Sequence, residues 1–235
     1  RKYHFVAWAD FVDNNSDADK QHHETDLHYD TSKFPIVSLK GEQKLNDESR
    51  DAYTQVVTVD KFTGASSIPP MVLKRPFAKL RVIATDLAEL NLNVNPKFVH
   101  VVYTAAHPAA FNAVTGAISA KYETAQYKYE YADITKESLA NHVYTAGYDN
   151  QTLYGVENAN GVKRHTHMTL FTDYILAEDQ HAPIQFTMTV YDQDASPIKE
   201  TIFSTDIPVK RNMLTTIIGN VLTTATEINV TIDDN

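Results

Sequence analysis

Cysteine is absent from the 235 residues, which excludes disulfides, thiolate nucleophiles and cysteine-ligated zinc within this chain. Glycine is scarce, at 7 residues. None of them falls in a phosphate-cradling loop, a dinucleotide fingerprint or a G-x-S-x-G elbow. No run approaches the roughly 18 consecutive apolar residues of a helical bilayer span. No basic head, apolar middle and small-residue cleavage site reads as a signal peptide. Positive charge is in deficit. The 21 Lys and Arg against 30 Asp and Glu leave a net charge of −9, which argues against a general binder of nucleic acid or anionic membrane, since both need a basic face.

What is present favours strands. Hydrophobic residues make up 43% and charged residues 22% of the chain, enough apolar content to fold around a core. The 13 tyrosines, with abundant Thr, Val and Ile, suit pleated, half-buried surfaces. Phe186, Met188 and Val190 alternate with Thr187, Thr189 and Tyr191. Ile228, Val230 and Ile232 alternate with polar residues, as do Tyr127, Tyr129 and Tyr131. Further strands are expected at 35–40, 55–60, 79–85, 97–104, 166–177 and 200–210. DQDASP at 192–197 has the composition of a hairpin turn, so 184–210 reads as two antiparallel strands. Helix signals amount to short turns near Asn46–Tyr53 and after Thr135 as N-cap. The fold class is therefore all-β, built from antiparallel β-sandwiches.

A domain boundary is expected in GASSIPPMVLKRP, where Pro69-Pro70 stiffens an extended connection. It divides the chain into 1–75 and 76–235. The first part holds about three strands, few for a two-layer core of its own. The opening stretch RKYHFVAWADFV places apolar residues on both sides of a period-2 pattern, which predicts a strand buried on both faces. With only Arg1 and Lys2 ahead of it, the chain reads as starting partway through a domain, and Tyr3–Phe11 is expected to keep an open edge.

Candidate chemistry is thin. HHETDLHYD supplies His22, His23 and His28 beside Glu24, Asp26 and Asp30, all acceptable metal ligands. Their spacing matches no H-E-x-x-H helix, and a solvated loop is the favoured reading, so no metal or cofactor is assigned. His165 and His167 would share one face of a strand, but Lys163 and Arg164 beside them repel a cation. DNNSDAD (13–19) and DQDAS (192–196) lack the glycine and terminal glutamate of a calcium loop. Tyr127, Tyr129, Tyr144 and Tyr148 are placed to stack on sugar rings if exposed, which keeps a carbohydrate-binding surface module as the alternative function. No enzyme is expected. The residues singled out are structural: Trp8 as an anchor of the N-terminal core, Lys79 to Val82 opening the second sandwich, and Ile217, Ile218, Val221 and Leu222 packing near the C-terminus. Gly219 is expected to allow a bulge or a close backbone approach.

YHFVAWADFV, RPFAKLRVIATDL and IPVKRNMLTTIIGNVLT together resemble the fimbrillin-like surface proteins of Bacteroidetes. The family's Y-x-F-x-x-W-A-D strand corresponds to Tyr3–Asp10. Its L-x-R-x-x-A-K-[IL]-x-[VL] strand corresponds to Leu73–Val82, and its P-[LV]-x-R-N segment with following glycine to Pro208–Thr223. SRDAY (49–53) resembles the family's R-D-A-[FY] turn. The resemblance implies two transthyretin-like β-sandwich domains, the first incomplete at its N-terminus. It implies export as a lipoprotein precursor to the outer membrane and a place at the cell surface in a fimbrium, or pilus, serving adhesion. The implied partners are other pilus subunits, joined by donor strand exchange, with host or bacterial surface glycans or proteins as possible receptors.

Overall fold

The period-2 segments fold as strands. The computed structural model describes residues 2–13, 22–60, 67–90, 94, 96–105, 107–122, 124–130, 155–157, 163–165, 167–224 and 226–234. In chain order these hold β1 (Tyr3–Asp10), β2 (Tyr29–Asp30), β3 (Ile36–Leu39), β4 (Ala52–Val59), β5 (Phe77–Ala84), β6 (Phe98–Tyr103), β7 (His107–Asn112) and β8 (Ile118–Tyr122). They continue with β9 (Ala125–Glu130), β10 (Gly155–Glu157), β11 (Lys163–His165), β12 (Met168–Leu176), β13 (Ala182–Tyr191), β14 (Pro197–Val209), β15 (Met213–Asn220) and β16 (Thr226–Asp234). Helical structure among the described residues is limited to short 3-10 turns, one of them Glu48–Arg50 with Asp47 as its N-cap. The turn expected after Thr135, together with Tyr131, Tyr144 and Tyr148, lies outside the described residues.

Two four-stranded sheets, β12-β5-β15-β16 and β14-β13-β6-β9, form a sandwich around the larger core. Alternation along β5 sends Ala78, Leu80, Val82 and Ala84 into that core, all at zero exposure. From the facing sheet Phe186 stacks on Phe203 at 4.5 Å and meets Phe171 edge-on at 5.9 Å. Aromatic pairs in these geometries contribute about 0.5–1.5 kcal/mol beyond their buried area. Ile217 and Leu222 are buried in the same core. The expected hairpin is β13-β14, and its turn is shaped by Asp192, whose Oδ1 accepts the N–H groups of Asp194 and Ser196 at 3.0 and 2.8 Å.

A third sheet, β2-β3-β7-β8, combines strands from either side of position 75. Its core likewise draws on both parts, with Tyr29, Val37 and Ala52 against Phe77, Phe111, Tyr174 and Leu176. Tyr29 stacks on Phe77 at 5.6 Å, and Phe77 meets Tyr174 edge-on at 5.7 Å. Strands β5 and β12 thus contribute to both cores, with Phe77 of β5 and Tyr174 and Leu176 of β12 in the smaller one.

Two expectations need correction. First, β1 is not buried on both faces; it is half-buried or exposed along its length. It forms a two-stranded ribbon with β4, and its Trp8 ring packs edge-on against Tyr29 at 5.5 Å, at the margin of the smaller core. No second strand flanks β1 among the described residues. Second, the sandwich is not antiparallel throughout, because β5 and β15 run parallel from Leu214 opposite Lys79 to Gly219 opposite Ala84. The chain between them passes through the facing sheet, so no tight turn imposes an antiparallel pairing.

Candidate functional site

Three of the four segments that carry the sequence resemblance, SRDAY, RPFAKLRVIATDL and IPVKRNMLTTIIGNVLT, meet at one junction. Arg50, in the turn before β4, is fully buried, and so is Asp173 on β12. The Arg50 guanidinium pairs with the Asp173 carboxylate and also donates to the carbonyls of Lys44 and Tyr174, both at 2.8 Å. Asp173 accepts the Tyr103 hydroxyl at 2.6 Å and the Tyr174 N–H at 2.8 Å, and the Arg50 carbonyl accepts the Tyr29 hydroxyl. Next to this pair, Arg75 forks onto Asp51 with two bonds of 2.8 Å and lies over the Tyr53 ring. Asn212 ties in the third segment: its Oδ1 accepts the Arg75 N–H at 3.1 Å, and its own N–H donates to the Phe77 carbonyl at 2.7 Å. Lys79 reaches Glu48 at 2.8 Å and the Tyr174 hydroxyl at 3.1 Å.

The electrostatics of the junction are those of a clamp. Burial opposes the Arg50 charge, yet Asp173, Tyr29 and Tyr127 together outweigh it and hold the guanidinium above its ordinary value. Burial, then Asp173, pushes the Tyr103 hydroxyl well up. His107 is buried against the Tyr103 ring at 4.5 Å with neither ring nitrogen hydrogen-bonded to a described residue, and burial drives it down to about 4. None of these shifts brings a group toward neutral pH, the opposite of what acid–base catalysis requires.

Among the described residues no three His, Asp or Glu side chains come together to hold a metal. His22 and His23 lie in the 3-10 turn His22–Thr25. His28 is half-buried, and burial lowers its pKa. Its Nε2 is 2.7 Å from the Ser49 hydroxyl, which donates to Asp47. The hydroxyl proton is therefore committed to the carboxylate rather than the imidazole, unlike a nucleophile with its base. His165 lies on β11, and His167 is half-buried just before β12. Of the tyrosines proposed as a sugar platform, Tyr127 is turned into the core at 7% exposure, and Tyr129 is half-buried against it. A groove of about 610 Å³ at β6, β9 and β13 is lined by residues that include Phe98, His100, Lys128, Tyr129, Glu130 and Tyr191.

The two edges of sheet β12-β5-β15-β16 are treated differently. Along β12 the loop before β4 takes up backbone groups: Asn46 N–H donates to the Thr172 carbonyl at 2.9 Å, its Oδ1 accepts the Thr172 N–H at 2.7 Å, and Arg50 takes the Tyr174 carbonyl. Along β16 no described strand or loop does so. The Gly219 carbonyl accepts the Thr85 N–H on the β5 side. Because backbone groups alternate sides along a strand, Leu214, Thr216 and Ile218 face β16, opposite Asp233, Thr231 and Asn229. Ile228, Val230 and Ile232 therefore turn their N–H and C=O groups outward. Gly219 sits at a shift in that register, where an added Cβ would come within 2.7 Å of the Glu227 carbonyl oxygen.

In comparisons with known proteins, no curated protein matches the chain. Among solved structures it is similar to a candidate cell adhesion protein of Bacteroides uniformis, at 11% identity over 85% of this chain and 71% of that one, with a TM-score of 0.42. A candidate cell adhesion protein of Bacteroides ovatus matches at 10% identity over 99% and 68%, with a TM-score of 0.42. A candidate adhesin of Bacteroides thetaiotaomicron matches at 14% identity over 99% and 77%, with a TM-score of 0.40. The family of unknown function DUF6562 matches over residues 1–235, and the chain belongs to that family.

Proposed function

We propose that this protein is a structural and adhesive subunit of a cell-surface fimbrium, exported and displayed at the outer membrane, and that it joins partner subunits by accepting a β-strand. The observation that supports this best is the contrast between the two edges of one sheet. The edge at β12 is covered by a loop and a buried arginine, while β16 offers the outward backbone groups of Ile228, Val230 and Ile232. An open edge is a template for another strand, and proteins that do not use one blunt it. The meeting of SRDAY, RPFAKLRVIATDL and IPVKRNMLTTIIGNVLT at the Arg50 junction gives further support, since three widely separated motifs there serve one packing arrangement.

The backbone alternation supplies the test. Val230→Pro removes an outward N–H and leaves the β15 ladder intact, whereas Thr231→Pro removes an N–H that the ladder uses. Val230→Pro is expected to keep the melting temperature of the purified subunit yet abolish its incorporation into surface polymers, read by electron microscopy and detergent-resistant ladders. Thr231→Pro is expected to lower the melting temperature itself. Normal polymers from folded Val230→Pro protein would defeat the proposal.

The groove beside Tyr191 favours a second reading, a carbohydrate-binding surface module, because an aromatic ring next to Lys128 and Glu130 suits a sugar. Glycan-array binding that disappears in Tyr191→Ala, without any loss of fold, would select that reading.

A further inference from the structure

The open edge carries a charge pattern as well as free backbone groups. From Ile228 to Ile232 the strand is uncharged, while Glu227 stands at one end and Asp233 and Asp234 at the other. All three carboxylates are exposed, and none is ion-paired with a described residue. Their neighbours across the ladder offer no compensation, since Asp233 and Asp234 lie opposite Leu214 and Met213.

We infer that the strand received at β16 carries Lys or Arg at both ends of an uncharged, β-prone core matching Ile228–Ile232. This rests on the reading of β16 as the assembly edge and specifies its partner. Like charges directly opposite each other across a ladder are destabilising, and opposite charges are stabilising. An antiparallel second copy centred on Val230 would set Glu227 against the Asp233 of the copy at both ends of the pairing. The net charge of −9 adds long-range repulsion between copies. A basic-flanked strand neutralises the same carboxylates while its core completes the backbone ladder. The acidic ends thus select for one partner chemistry and against self-pairing.

The probes are three heptapeptides with one core: Lys-Val-Thr-Val-Thr-Val-Lys, its Ser-flanked form and its Glu-flanked form. Each is titrated into the whole protein at about 0.01 M ionic strength, where the screening length is about 30 Å. Binding is read by fluorescence anisotropy and by slowed amide exchange at Ile228, Val230 and Ile232. The Lys-flanked peptide is expected to bind roughly tenfold tighter than the Ser-flanked one, each flanking pair supplying a factor of a few. The Glu-flanked peptide should be weakest. The preference should shrink at 0.15 M, where the screening length is about 8 Å, and vanish in the Glu227→Gln, Asp233→Asn, Asp234→Asn variant. Equal binding of all three peptides would overturn the charge inference and leave β16 as an accepting edge. Failure of all three to bind or to protect those amides would overturn both.

Discussion

Replacing Arg50 by methionine tests the junction most directly. The change keeps a long apolar stem and deletes the guanidinium. Among the described residues it leaves the Asp173 carboxylate, at zero exposure, with the Tyr103 hydroxyl and the Tyr174 N–H, and it strips donors from the carbonyls of Lys44 and Tyr174. Breaking a buried ion pair by removing one partner costs about 3–5 kcal/mol, a large fraction of the roughly 5–15 kcal/mol that holds a domain folded. Adding Asp173→Asn removes the stranded charge while an amide oxygen can still accept the Tyr103 hydroxyl. The double variant should therefore be more stable than Arg50→Met alone, with a coupling of about 1–3 kcal/mol. Urea unfolding of wild type, Arg50→Met, Asp173→Asn and the double variant reads both effects. Amide exchange at Thr172 should quicken in Arg50→Met, because the loop that holds Asn46 against β12 loses its anchor. A cost below about 1 kcal/mol, or a double variant no better than the single, would refute the reasoning.

Two further perturbations follow from the same structure. His107 is neutral in the fold with a pKa lowered to about 4, so the unfolded chain binds the extra proton below about 6.5. Its contribution to stability is present above that value and is lost toward pH 4, by up to about 1.4 kcal/mol per pH unit. His107→Leu should be nearly neutral at pH 7 and more stable than wild type at pH 4.5 by urea unfolding; parallel pH profiles would contradict this. Gly219→Ala forces a methyl to within 2.7 Å of the Glu227 carbonyl oxygen and should cost about 1–3 kcal/mol, with faster exchange along β16. An unshifted melting temperature would show that β16 moves aside freely.

Local pattern was enough for much of this. The β13-β14 hairpin was legible because its strands and its DQDASP turn adjoin in the chain, so no long-range contact had to be inferred. Strands β7 and β8 were not picked out, since HPAAFN carries a proline and small residues rather than large alternating ones. SRDAY was visible as a motif, but a charged residue is read as exposed by default. That Arg50 is fully buried depends on Asp173, 123 positions away. The apolar residues on both sides of β1 predict a strand buried on both faces, yet β1 has one strand neighbour among the described residues and stays half-buried or exposed along its length.

By itself, then, the sequence determined the all-β class, most strand positions and the lack of glycine- or cysteine-based chemistry. Side-chain alternation and residue type act over a few neighbours. Only the tertiary structure decided the parallel β5-β15 pair, the burial of Arg50 and Asp173, and which sheet edge is closed. Each of these is a contact between distant segments. Its free energy depends on what water and what partner the group meets there, which no local pattern records.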